Sequence, residues 1–109
     1  MGRRAMGEKW RDFGAHLESA PGRLPTEVRR LIRERAAQDD ATRGEEVPDD
    51  LANFVDLVAD RSYRITEKSI ALLAEAGRSD DEILEAAIVA AYGAADRRYR
   101  AARRSWEGL

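Results

Sequence analysis

His16 is the single histidine of the chain and there is no cysteine, so the groups to weigh are that histidine, the carboxylates, the tyrosines and the arginines. Disulfides, thiolate metal sites and cysteine nucleophiles are all excluded together. Glu82, Glu85, Tyr92 and His16 are the groups that could move a proton, with arginines to hold a carboxylated substrate. Of these, His16, Glu85 and Tyr92 are the candidate catalytic residues. Each also has a structural reading. His16 follows Asp12 by one helical turn and suits a surface ion pair or a solvated position. Glu85 suits an exposed ion pair near a helix start, Tyr92 a core or interface position, and Glu82 the role of a capping partner for Ser79. The Glu-x-x-His pairs of carboxylate di-iron bundles are missing. Asp39, Asp40, Glu45 and Glu46 cluster around Gly44 without the spacing of a calcium loop. No cofactor and no metal are expected.

Arginines form two groups, Arg29, Arg30, Arg33 and Arg35 in one, Arg97, Arg98, Arg100, Arg103 and Arg104 in the other. A basic helix face can touch phosphate, but local acids and the helix dipole account for both groups, and the first lacks the interleaved aromatics of a single-strand reader. Formal net charge is −2, with 19 basic and 21 acidic residues. No overall field therefore points to nucleic acid, and none is expected as a partner. No apolar run is long enough to span a bilayer, and the first residues lack the apolar core of a signal peptide. Met1-Gly2 opens like a myristoylation site, but Met6 stands where Ser or Thr is needed. A cytoplasmic location without membrane contact is expected.

The elements that would position these groups are helical throughout. The length suits one domain, residues 1–109, and no segment alternates as a strand does. Met6, Trp10, Phe13 and Leu17 recur at helical spacing, predicting a first helix over about Ala5 to Ser19, with Gly7 and Gly14 as misfits. After Ala20-Pro21-Gly22, a second helix is expected from Pro25 or Thr26 to about Ala37, with Val28, Leu31, Ile32 and Ala36 facing inward. Gln38 to Glu46 reads as a polar, mobile link. A third helix follows Pro48, with Leu51, Phe54, Val55 and Val58 on its inner face, ending near Asp60 or Arg61. Thr66 caps a fourth helix with Ile70, Leu73 and Ala74 inward, and Gly77 closes it.

The fifth helix is the longest. Ser79 and Glu82 form a capping box at its start, acids fill its first turn and arginines its end. Its middle, Ala86 to Ala95, carries no charge on any face. Such a helix is either the central core helix of a monomer or one shared between subunits, because burying all faces takes more protein than one small copy supplies. Ile88, Tyr92, Ala95, Tyr99, Ala102 and Trp106 fall on one stripe and are the expected oligomer interface.

The run from Ile65 through Thr66, Ala76-Gly77, Ser79-Asp80-Asp81-Glu82-Ile83 to Ala86 resembles the second half of the alkylhydroperoxidase/carboxymuconolactone decarboxylase (AhpD-like) superfamily. Those members show a threonine-capped helix ending in Ala-Gly, then Ser with acids and Ile, then a small-residue helix; Tyr92 and Arg97 sit where that helix often carries an aromatic and an arginine. The likeness spans about Val47 to Arg98. It divides the chain into divergent helices and an acidic loop over 1–46 and a family-like core over 47–109. What the resemblance implies is an all-α, AhpD-like fold of about five helices whose long apolar helix is shared in a homo-oligomer. Redox members carry a Cys-x-x-Cys pair and a histidine before this region. With no cysteine here, thiol peroxidase activity is excluded. Arg78 departs from the apolar or aromatic residue often found there. The expected function is a non-catalytic accessory, scaffold or small-ligand-binding subunit, with a small molecule or another protein as partner. The alternative is a cysteine-independent, carboxymuconolactone decarboxylase-like enzyme acting on a small carboxylated substrate.

Overall fold

The computed structural model describes residues 2–38 and 46–108, with side chains described from residue 7 onward. Met6's side chain and most of the acidic link fall outside these residues. Five α-helices follow in order: α1 (Gly2–Ser19), α2 (Thr26–Ala36), α3 (Asp49–Asp60), α4 (Glu67–Glu75) and α5 (Asp80–Glu107), with a 3-10 turn at Ser62–Arg64. Among the described residues there is no strand.

Helix α5 is the axis of the bundle. It packs most extensively against α2, then against α3, while α1 lies along its later turns and α4 touches it only briefly. Ala86, Val89, Ala90, Gly93 and Ala94 form its core face. They meet Ile32 and Ala36 of α2 and Leu51, Phe54, Val55 and Ala59 of α3 in one apolar cluster. Gly93 sets the α2–α5 crossing. A Cβ there would stand 2.5 Å from the Arg33 carbonyl oxygen and 2.9 Å from the Ala36 Cβ. Two backbones can approach this closely only if one residue has no side chain.

The turn into α5 follows from local chemistry. Thr66 and Ser69 make a reciprocal capping box at the start of α4, and Ser79 and Glu82 make another at α5. Between them Gly77 takes φ +97°, with its N–H donating to the Ala74 carbonyl and the Arg78 N–H to the Leu73 carbonyl, both at 3.0 Å. This is the paired hydrogen-bond pattern of a Schellman stop, with glycine at the left-handed position.

Two expectations need correction. In α2, Arg29 belongs to the interior, 5% exposed, rather than to a solvated basic face. Its Nε and Nη1 donate to the carbonyls of Leu24 and Leu17 at 3.1 and 2.9 Å. The guanidinium thus ties the α1–α2 turn together by satisfying one carbonyl at the open end of α1 and one in the link before α2. In α4, only Leu73 is buried; Ile70 and Ala74 are exposed, because this short helix is held at one edge of the bundle. In α1, Phe13 docks edge-on against Tyr92 at 5.8 Å and stays half exposed.

Candidate functional site

The candidate acid–base groups occupy separate settings. His16 is exposed in the last turn of α1. No hydrogen bond or ion pair joins it to Glu85. The Glu85 carboxylate accepts the Arg23 backbone N–H at 2.9 Å from both oxygens, and that of Leu24 at 3.5 Å. The expected surface ion pair is instead a clasp on the loop before α2. Gly22 makes room for it, since a Cβ there would collide with Glu85 Oε1. The clasp holds α5 to the loop and gives the Glu85 carboxylate a structural role there.

Tyr92 is 8% exposed, and α1 of the same chain covers it. Its ring stacks on Trp10, centroids 4.6 Å apart at 27°, and meets Phe13 edge-on at 5.8 Å. Its hydroxyl donates to the Trp10 carbonyl at 2.9 Å. Gly14, one turn further on, leaves the space that the hydroxyl fills, so a glycine that looks out of place in the helix is explained by packing. Burial raises the Tyr92 pKa above the ordinary phenol value, and the nearby Asp96 charge raises it further. A phenol held protonated and already donating is suited to structure more than to proton abstraction.

Around this tyrosine the α1–α5 seam opens into a cavity of about 410 Å³. Trp10 is fixed from both sides, because its Nε1–H donates to Asp96 Oδ1 at 2.7 Å. Asp96 Oδ2 pairs with Arg100 Nε at 3.1 Å. Glu18 accepts from Arg33 across the same opening. Tyr99 approaches Trp10 with centroids 5.8 Å apart. Sequence reasoning missed this convergence, although Trp10 and Gly14 on one helix and Tyr92, Asp96 and Tyr99 on the other were visible as helically spaced residues.

The expected interface stripe divides. Tyr92 and Tyr99 turn toward α1, while Ile88 and Trp106 remain 43% and 52% exposed and Ala102 is exposed as well. Ala95 is half-buried. Leu84, 58% exposed, and Ala91 continue that outer side. From Leu84 to Ala95 its residues recur every three or four positions, opposite the core face.

The arginines are mostly staples. Arg35 pairs with Asp56 at 2.8 Å, and Arg97 with Asp60 at 3.2 Å. Arg98 donates to the Ala59 carbonyl at 3.0 Å. Arg78, unusual against the resembled pattern, binds Asp50 at 2.6 Å and Glu82 at 3.0 Å, locking the starts of α3 and α5 together. Hydrogen bonding from Arg78 holds the Asp50 carboxyl below its usual range; the Ser79 backbone, then Arg78, do the same for Glu82. Among the described residues no three His, Asp or Glu side chains converge as a metal site. Among the described residues no helix is long and apolar enough to cross a membrane. No known family, no curated protein and no solved structure matches the chain.

Proposed function

We propose that this chain is a non-catalytic, AhpD-like subunit of a homo-oligomeric helical assembly, acting as an accessory, scaffold or ligand-binding protein. One observation carries the reading: the face of α5 opposite its core is apolar and solvent-facing at Leu84, Ile88 and Ala91. An all-round apolar helix is a buried helix, and one copy covers only part of it. Burying the exposed half of Leu84 and Ile88 contributes roughly 1 kcal/mol each. Ala91 and Ala95 are small enough for a second helix to approach closely. The ends of α5 also complement each other, with Asp80 and Asp81 exposed at the start and Arg98 and Arg104 exposed near the end. In an antiparallel pair the acidic start of one copy meets the basic end of the next.

The superfamily resemblance adds to this reading through the hairpin of Thr66, Gly77 and Ser79. The thiol pair of the redox members is absent from the sequence. The enzymatic alternative loses its acid–base pair, since Glu85 clasps a loop and His16 stands apart from it. The test is light scattering of the wild type beside Leu84→Glu/Ile88→Glu at equal concentration. A wild-type oligomer that the double variant converts to a folded monomer is expected. A wild-type monomer at tens of micromolar, or an oligomer indifferent to the two glutamates, would refute the reading.

A further inference from the structure

We infer that the cavity between α1 and α5 binds a small planar aromatic anion, such as an aromatic carboxylate. The site is complete within one copy, so it does not depend on self-association. Its volume, about 410 Å³, lies at the small end of the roughly 300–1,000 Å³ typical of small-molecule sites.

Two features of the lining define the ligand. The first is a rigid aromatic wall. Trp10 is held by Asp96 at its indole N–H, by Tyr92 at its carbonyl and by stacking on the Tyr92 ring. Tyr99 stands beside it, tilted by 43°, and its hydroxyl has no hydrogen-bond partner among the described residues. An immobilised indole offers a flat face at little entropic cost. The second is surplus positive charge. Arg11, Arg33, Arg100 and Arg103 line the cavity against Glu18 and Asp96, and with Arg103 paired to Glu107 at 3.3 Å the surplus charge is that of Arg11, in a chain whose net charge is −2. Both carboxylates are engaged, Glu18 by Arg33 and Asp96 by Arg100 together with Trp10. Arg100 meets Asp96 through Nε. Arg11 has no partner among the described residues.

A guanidinium fork beside an aromatic face is suited to a flat molecule bearing a carboxylate, which stacks and accepts two parallel hydrogen bonds at once. A neutral aromatic would leave Arg11 unanswered. An inorganic anion would leave the wall unused.

The experiment uses 15N-labelled protein carrying Trp106→Phe, so that Trp10 is the sole indole and reports from inside the cavity. 1-Naphthoate is titrated beside the neutral 1-naphthalenemethanol and inorganic phosphate. The Trp10 Nε1–H resonance is expected to move to saturation with 1-naphthoate, and to need roughly tenfold more of the alcohol. Arg11→Gln/Arg100→Gln should weaken naphthoate binding roughly tenfold, and Tyr99→Ala should weaken it as well. These positions lie outside the apolar core, so the spectra of the free variants check the fold independently. Three results would overturn the inference: no saturable shift at millimolar naphthoate, equal affinity for the alcohol, or an equal shift with phosphate alone. Naphthoate affinity unchanged in both variants would do so too.

Discussion

Single residues in this chain act mostly by making room or by holding backbone. Gly14 is the clearest case. Alanine is the better helix former by about 1 kcal/mol, yet a Cβ at this position would overlap the Tyr92 hydroxyl. Gly14→Ala should therefore destabilise the protein, by about 1–3 kcal/mol as overpacking does, read as a lower urea midpoint. Tyr92→Phe keeps the stack on Trp10 and loses only the hydroxyl's bond to the Trp10 carbonyl, costing about 1 kcal/mol. If Gly14→Ala were stabilising, α1 would not dock on α5 as described. A second residue-scale effect concerns pH. Asp50 and Glu82 titrate below their unfolded values because Arg78 and the Ser79 backbone favour their charged forms. Their contribution is complete above the unfolded carboxylate range near pH 4 to 5. It is lost as pH falls through the lower folded values, where the unfolded chain has already taken up its protons. The urea midpoint should fall between pH 6 and pH 3, and it should fall less in Arg78→Gln. Equal falls in the two proteins would remove Arg78 from the account.

At the scale of elements, the hairpin and the crossing do different work. The turn of the α4–α5 hairpin was legible in the sequence through the Thr66 cap, the Gly77 stop and the Ser79–Glu82 capping box, though not the reciprocal part of Ser69. These are local signals, decided by residues a few positions apart. Gly77→Ala should cost about 1 kcal/mol, because φ +97° is strained for any side chain. Gly93→Ala should cost more, about 1–3 kcal/mol, since its neighbour is a backbone oxygen that cannot step aside. Thermal or urea unfolding of the two variants checks that order. Less legible were contacts made across the chain. Arg29 has the composition of a surface residue, and only the fold shows that two open carbonyls draw it inside. Glu85 looked like a surface acid near the helix start, and the loop it clasps lies about sixty residues away. Ile70 and Ala74 carried the right period for a core face, but periodicity cannot tell how much protein lies on each side of an edge helix. The aromatic seam was half visible, as residues of the right type on two helices with nothing in the sequence to say that they meet.

For the whole molecule, the governing fact is that α5 is apolar on more faces than one copy covers. α2 and α3 bury its core face, and α1 shelters Tyr92. The side bearing Leu84, Ile88 and Ala91 stays open. The proposed assembly closes that side, and the absence of cysteine offers a direct way to see it. A single cysteine placed at Ala91 can be alkylated and compared with one placed at Lys9, an exposed residue of α1. If α5 is shared between copies, the thiol at position 91 should react at least tenfold more slowly than the thiol at position 9 at tens of micromolar protein. It should regain the faster rate when Leu84→Glu/Ile88→Glu disperses the assembly. Equal rates for both thiols in the otherwise unaltered chain would contradict the central claim, leaving α5 the core helix of a monomer with an apolar outer face.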